Sequence, residues 1–224
     1  MPISKSLESK TFLVFEFIAL FIVFPLVLYI IVPTPVLPFL WLVCAWCLYI
    51  LLKDEKFNRK NLLRNEVINS NIKIILLQFL GVSFFITLFM MFFMPDMFFS
   101  LIKENPIFWL AVIVLYPLLS VYPQELVYRA FFFHRYKSLF KNNEYLILTN
   151  AFLFGFMHII FHNWIAVILT IGGGYIFAKL YIKTHSLSLL FIAHSLYGCM
   201  LFTIGLGEFF YTGTVATIEQ TFKF

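Results

Sequence analysis

Ionisable side chains interrupt the apolar segments of this sequence at only a few positions. Glu125 and Arg129 lie in "YPQELVYRAFFFHRY", residues 122–136, and His158 and His194 lie in two later apolar segments. Charged and titratable groups are costly in an apolar environment, so each needs a partner or a purpose. Residues 122–136 could form a helix that leaves the membrane. Alternatively, they could contribute to an active site within the membrane.

The composition indicates a membrane protein. Of the 224 residues, 62% are hydrophobic, only 12% are charged, and 31 are Phe. Soluble domains carry about 25% charged residues, whereas apolar runs of roughly 20 residues, long enough to cross a bilayer as a helix, recur along this chain. The alternating pattern of a transmembrane β-barrel is absent from the sequence. We therefore predict an all-α, polytopic transmembrane helical bundle that is surrounded by the lipid bilayer.

Hydropathy and proline positions predict about seven spans in a single domain. The predicted spans cover residues 11–32, 36–52, 73–94, 107–137, 145–161, 164–182 and 187–205. The "VPTP" sequence at 32–35 predicts a tight turn, and "KDEKFNRKNLLRNE" at 53–66 predicts a solvated loop. The three cysteines all lie in apolar segments, so we expect neither a disulfide nor a structural metal site.

Lysine and arginine are distributed unevenly between the connections. Alternate connections carry most of them, at Lys5, Lys10, Lys53, Lys56, Arg59, Lys60, Arg64, Lys73, Arg135, Lys137, Lys141, Lys179 and Lys183. The remaining connections hold only Lys103 and, in the tail, Lys223. The positive-inside rule then predicts a cytoplasmic N-terminus and an external C-terminus. We expect an integral protein of a bacterial inner membrane, and no nucleic-acid partner, because topology explains the net charge of +5.

Three of the ionisable side chains are predicted to lie at a similar depth. At about 1.5 Å per helical residue, Glu125 lies roughly 18 Å, His158 roughly 20 Å and His194 roughly 12 Å from the cytoplasmic ends of their spans. One acid and two histidines could therefore meet in a single buried pocket. Glu125 and Arg129 are four residues apart, so they share a helix face and can form an ion pair.

Each of these residues also has a structural interpretation. Arg129 could extend to the cytoplasmic headgroups with Glu125 as its ion-pair partner. His194 alone would most often be a hydrogen-bonded packing residue, and it gains significance from the similar depth of Glu125 and His158. The "GGG" at 172–174 favours close packing between neighbouring helices.

Three short motifs contain these ionisable residues: "QELVYR" at 124–129, "FGFMH" at 154–158 and "HSLYG" at 194–198. They resemble the motifs of the CAAX protease and bacteriocin-processing (CPBP, or Abi) family, whose members are intramembrane endopeptidases and include the type II CAAX prenyl proteases. They follow the family patterns E-E-x-x-x-R, F-x-x-x-H and H-x-x-x-N/D, each on a successive core helix. The resemblance covers about residues 107–205, which we interpret as the catalytic core helices. Residues 1–106 then form N-terminal transmembrane helices and a cytoplasmic loop, and residues 206–224 form a tail.

The resemblance implies hydrolysis of a peptide bond in a membrane-associated protein or peptide. It implies catalytic roles for Glu125, Arg129, His158 and His194. Glu125 would be the general base, the histidines would orient the water and stabilise the oxyanion, and Arg129 would set the charge and position of Glu125. A metal-dependent version would use Glu125, His158 and His194 as ligands of a divalent ion such as zinc, with water in the fourth position. The metal-free version needs no cofactor.

Two positions depart from the family patterns. Gln124 stands at the first glutamate, and a glutamine cannot accept a proton from water. Gly198 stands at the final Asn or Asp. Neighbouring helical residues lie about 100° apart, so Glu125 does not simply replace residue 124. The alternative function is therefore a catalytically silent protein of the same fold, acting as an immunity factor or a scaffold. A transporter is a weaker third option, because no second half mirrors the motif helices.

Overall fold

Seven long helices form the bundle. The computed structural model describes residues 9–31 and 35–210, and these contain seven helices that are long and apolar enough to cross a membrane. We number them span 1 to span 7 in chain order: Lys10–Ile31, Val36–Lys53, Asn65–Phe93, Pro106–Arg135, Asn143–Phe161, Trp164–Thr184 and Leu187–Ile204. The predicted all-α bundle of seven spans is confirmed. Most of the turn predicted at 32–35, and the tail beyond residue 210, lie outside the described residues.

Helical structure extends beyond the apolar segments that predicted it. Span 3 begins at Asn65 and not near residue 73, because its first turns carry the polar sequence "NEVINSN", which lowers hydropathy without preventing a helix. Two short helical segments, Ser100–Glu104 and Leu206–Phe210, were also not predicted. Each is too short to give a periodic signal in the sequence.

The connection between spans 2 and 3 packs against the bundle, so the prediction of a solvated loop at 53–66 is wrong in part. The Phe57 side chain is buried. Arg64 Nη1 donates a hydrogen bond of 3.3 Å to the Thr184 carbonyl, and Ser186 Oγ donates one of 2.8 Å to the Arg64 carbonyl. The connection is thus fixed to the turn between spans 6 and 7. We call this end of the bundle, where most Lys and Arg lie, the basic end.

A second contact fixes the same connection to span 4. The Asp54 carboxylate lies 2.8 Å from His134 Nε2, and the His134 ring packs against Phe57 with ring centres 5.1 Å apart. Burial alone would raise the pKa of the Asp54 carboxyl, but hydrogen bonds from His134 and from the Lys56 backbone N–H bring that pKa below its usual value. His134 therefore helps to close the basic end.

A buried ion pair joins span 1 to the end of span 4. Arg135 donates from Nε and Nη2 to the Glu16 carboxylate, at 2.8 and 3.2 Å, and the Tyr136 hydroxyl donates to the same carboxylate at 3.0 Å. Glu16 is 5% exposed and Arg135 is 8% exposed. The sequence reasoning counted Arg135 as a loop cation. The partners are 119 residues apart, so no local pattern could reveal the pair.

Span 4 is not a regular α-helix. Widened π-helical turns cover Pro117–Val121 and Leu126–Phe131, on either side of the α-helical turn Tyr122–Glu125. Pro117 and Pro123 lack the N–H that a regular helix needs, and their rings crowd the carbonyl four residues earlier, which favours such departures. π-helical turns are frequent at functional sites. The first motif lies within this irregular part of the span.

Glycines allow spans 5 and 6 to approach each other closely. A Cβ atom on Gly174 would lie 3.1 Å from the Ala151 Cα, and one on Gly155 would lie 3.0 Å from the Val167 carbonyl oxygen. Small residues permit this kind of contact between membrane helices. The close packing predicted from "GGG" at 172–174 is thus confirmed at Gly174, and it holds span 5, with the second motif, against the bundle.

Candidate active site

Glu125 and His194 contact each other across the bundle. His194 Nδ1, on span 7, lies 2.8 Å from Glu125 Oε1, on span 4. Glu125 is fully buried and His194 is 6% exposed. An ionised carboxylate only accepts hydrogen bonds, so Nδ1 carries the proton and Nε2 of the neutral ring is the proton acceptor. The pair thus consists of a potential base and the carboxylate that orients it.

Arg129 supports Glu125 from one turn along span 4. Its Nε lies 3.4 Å from Glu125 Oε2, which confirms the predicted ion pair. The guanidinium carbon lies 4.7 Å from the centre of the Phe154 ring and 5.9 Å from that of Phe177. The whole side chain is buried, so the interpretation that Arg129 extends to the headgroups is wrong. Charge attraction and ring contacts keep the guanidinium beside the carboxylate.

His158 lies where span 5 changes from an α-helix to a tighter 3-10 turn that covers His158–Phe161. Its Nδ1 donates a hydrogen bond of 2.7 Å to the Phe154 carbonyl. A carbonyl only accepts, so Nε2 of His158 is again the proton acceptor. The Phe154 ring contacts both histidines, with ring centres 5.0 Å from His158 and 5.8 Å from His194. Phe154 therefore links the second and third motifs.

Two neighbouring cavities meet at these residues. A cavity of about 330 Å³, which we call the central cavity, has both His158 and His194 in its walls. A mostly apolar side cavity of about 360 Å³ lies between spans 1, 2 and 4. Tyr116, Ser120, Gln124 and His158 line both cavities. Volumes of this size are typical of ligand sites, so the histidines are placed where a bound molecule could reach them.

Gln124, and not Glu125, faces this space. Gln124 Nε2 donates a hydrogen bond of 2.6 Å to Ser120 Oγ in the cavity wall. Among the described residues, the walls of the two cavities do not include Glu125. Successive residues of a helix point in directions about 100° apart, so Gln124 can face the cavity while Glu125 faces the interior of the bundle. Glu125 contacts His194 and does not line the cavity. Direct proton transfer from water to Glu125 therefore stays a prediction.

Glu125, His158 and His194, predicted as the ligands of a possible divalent metal, are not arranged as a ligand set. Across residues 9–31 and 35–210, no group of three or more His, Cys, Asp or Glu side chains could hold a metal ion. Glu125 and His194 bind each other, and His158 binds a backbone carbonyl. The arrangement does not fit a three-ligand zinc site.

Two residues of the site were missed by the sequence reasoning. The Tyr116 hydroxyl lies 3.1 Å from His194 Nε2, and Ser120 accepts the hydrogen bond from Gln124. Tyr116, Ser120 and Gln124 follow one another at intervals of four residues along span 4. Such spacing places polar side chains on one helix face, and it was the signal that could have revealed them.

Comparison with known families supports the resemblance carried by the three motifs. The family model described as type II CAAX prenyl endopeptidase Rce1-like matches residues 104–200. All three motifs, and all four residues predicted to be catalytic, fall within the matched range. The searches of curated proteins and of solved structures gave no match.

Proposed function

We propose that this protein, whose residues 104–200 match the type II CAAX prenyl endopeptidase Rce1-like family model, hydrolyses a peptide bond in a membrane-associated protein or peptide. The observation that carries the proposal is the 2.8 Å contact between Glu125 and His194 beside the central cavity. An imidazole oriented by a carboxylate, next to a space that can hold a substrate, is suited to the activation of a nucleophile.

In this proposal Glu125 and His194 act together as the general base. Glu125 keeps Nδ1 of His194 protonated, so that Nε2 accepts the proton released by the attacking water. The carboxylate then stabilises the positive charge of the imidazolium. Arg129 holds the Glu125 carboxylate in position, because the guanidinium lies 3.4 Å from Oε2 and attracts it. This proposal differs from the prediction that Glu125 is the base, because His194 takes the proton and Glu125 orients and stabilises His194.

His158 and His194 have different roles on the water and the substrate. His158 Nε2 accepts one hydrogen of the water and directs an oxygen lone pair at the substrate carbonyl. Once protonated, His194 stabilises the oxyanion of the tetrahedral intermediate and then supplies the proton that the leaving amine requires.

Proteolysis by the purified protein tests this function. The full chain in detergent is incubated with a library of membrane-associated peptides, with and without a chelator, and new termini are identified by mass spectrometry. The proposal expects cleavage at a defined bond that does not depend on the chelator. Cleavage that the chelator abolishes would overturn the metal-free mechanism, and no cleavage at all would favour the alternative that follows.

The second candidate is a catalytically silent protein that binds peptides as an immunity factor or scaffold. One observation favours it: the cavity wall contains the amide of Gln124 at the position where the family pattern has a carboxylate. The fully buried Glu125 and its contact with His194 favour the enzyme. A substitution at residue 124 separates the two candidates.

Gln124→Glu introduces a carboxylate into the wall of the cavity. If the protein is an endopeptidase, the variant should keep or exceed the wild-type rate, because the Ser120 hydroxyl can donate to the new carboxylate. If the protein is silent, the wild type should show no cleavage, and the variant could gain some. Rates on the same peptides provide the measurement, with Asn69→Asp, at an exposed position in the polar first turns of span 3, as the control. An active wild type with an inactive Gln124→Glu variant would contradict the expectation.

We also propose that the basic end of the bundle faces the cytoplasm of a bacterial cell. Lys and Arg are enriched in connections on the cytoplasmic side of inner-membrane proteins. Reporter fusions at Lys60 and at Phe224 should therefore report opposite sides, with Lys60 inside. A fusion at Lys103 serves as a control and should agree with Phe224. The same side for Lys60 and Phe224 would contradict a topology with seven crossings.

A further inference from the structure

Tyr116 contacts the proton-accepting nitrogen of His194 in the cavity wall. Its hydroxyl lies 3.1 Å from His194 Nε2. Because Nδ1 of His194 gives its hydrogen to Glu125, Nε2 must accept, and the Tyr116 hydroxyl donates. Tyr116 also lines both the central and the side cavity. The basic nitrogen of the pair is therefore covered by a phenol whose oxygen can still accept a hydrogen bond from the cavity side.

Gly198 makes this position of the phenol possible. A Cβ atom on Gly198 would lie 2.5 Å from the Tyr116 hydroxyl oxygen and 2.6 Å from its Cζ. Real Cβ atoms do not approach other atoms so closely, so any larger residue at 198 would displace the ring. The Phe202 ring packs against the same phenol with ring centres 5.2 Å apart. Gly198, in the third motif, thus leaves space for the Tyr116 hydroxyl, which comes from span 4.

We propose that Tyr116 relays the proton from the attacking water to His194, an inference that rests on the proposed hydrolytic function. The water gives a proton to the Tyr116 oxygen while the Tyr116 hydroxyl proton passes to His194 Nε2. The O–H bond of the water breaks, its oxygen bonds to the substrate carbonyl carbon, and the electron pair of the C=O bond moves onto the carbonyl oxygen. Tyr116 stays neutral, and His194 gains one proton beside the Glu125 carboxylate.

The same two groups complete the reaction in the opposite direction. Nε2 of His194 returns its proton to the Tyr116 oxygen as the Tyr116 hydroxyl proton passes to the leaving nitrogen. The C–N bond breaks, the intermediate becomes a carboxylic acid, and the amine departs. Because both protons move together, no phenolate forms in the apolar cavity, where an unpaired charge would be costly.

Tyr116→Phe removes the hydroxyl and keeps the ring that packs against Phe202. The variant should lower kcat for peptide cleavage by about 10²-fold or more, with little change in KM, because proton transfer is lost and the cavity walls are retained. The rate should also respond differently to heavy water. A plot of rate against deuterium fraction should curve for the wild type, in which two protons move together, and should be linear for the variant.

A matched control and a second variant separate proton relay from packing. Tyr145→Phe makes the same change at an exposed tyrosine of span 5 that lines neither cavity; it should leave kcat unchanged. Gly198→Ala pushes the Tyr116 ring away from His194, so it should lower kcat even though the hydroxyl remains. The double variant with Tyr116→Phe should be no slower than the slower single variant, because both changes act on one contact.

The outcomes distinguish the relay from the endopeptidase function itself. An active wild type together with a slow Tyr116→Phe variant and a linear isotope plot supports the relay. An active wild type with an equally active Tyr116→Phe variant overturns the relay and leaves the endopeptidase intact. If Tyr116→Phe does not fold, an unchanged kcat in Gly198→Ala overturns the relay and a lowered kcat supports it. No cleavage by the wild type overturns the proposed function, and the relay with it.

Discussion

Glu125→Gln should lower the rate of peptide hydrolysis by about 10²–10⁴-fold, the usual contribution of general acid–base catalysis, because His194 needs the Glu125 carboxylate to act as the base. The neutral amide cannot stabilise the imidazolium that His194 becomes, although it fills the same space. The variant should remain folded but lose stability, since the amide keeps the shape of the contact and leaves the buried Arg129 guanidinium without its ion-pair partner. The measurement is kcat of the purified variant in detergent, with thermal unfolding recorded in parallel.

Glu16→Gln is the matched control for this experiment. Glu16 also pairs with an arginine in the buried part of the bundle, since its carboxylate lies 2.8 Å from Arg135 Nε. The pair belongs to the contact between spans 1 and 4, and Glu16 lines neither cavity. This variant should lose stability and keep kcat for the folded fraction. If Glu125→Gln kept the full rate, or if both variants lost the rate equally, the role assigned to Glu125 would be wrong.

Arg129→Ala should lower the free energy of unfolding by about 3–5 kcal/mol, the cost of leaving one partner of a buried ion pair uncompensated. The change strands the Glu125 carboxylate in the bundle and removes the contacts of the guanidinium with Phe154 and Phe177. Unfolding in detergent, followed by the loss of helical signal, provides the measurement.

A double variant tests whether this loss comes from the stranded charge. Arg129→Met combined with Glu125→Gln removes both charges of this ion pair and retains most of the side-chain volume. It should therefore be more stable than Arg129→Ala, although it should not hydrolyse peptides. Wild-type stability in Arg129→Ala would contradict the assignment, because it would mean that the Glu125 carboxylate does not need the guanidinium.

The spans were predictable from the sequence because the bilayer imposes a simple requirement on it. About 20 apolar residues are needed for each crossing, and hydropathy locates them. Hydropathy does not detect helical turns that lie outside the bilayer. Span 3 therefore begins at Asn65, in a polar helical segment that precedes the apolar one. The prediction also fails for the Glu16–Arg135 pair, since hydropathy contains no information on which distant charges meet.

The meeting of Glu125 with His194 followed from depth alone, because residues at one level of neighbouring spans can contact each other. Which of Gln124 and Glu125 faces the cavity could not be predicted. The π-helical turns beside them change the angular position of each side chain, and the sequence reasoning did not consider Pro117 and Pro123. Tyr116 was missed because a tyrosine in an apolar span is ordinary, and only its contact with His194 distinguishes it.

Cleavage in water enriched in oxygen-18 tests most directly whether this protein hydrolyses peptide bonds. The wild-type protein and the Glu125→Gln variant are incubated with the same membrane-associated peptides, and the products are analysed by mass spectrometry. The wild type should produce a new C-terminal carboxylate that carries one oxygen-18 atom, and the variant should produce almost none. A wild type that binds these peptides and releases no labelled carboxylate would contradict the proposed function and favour the silent peptide-binding protein.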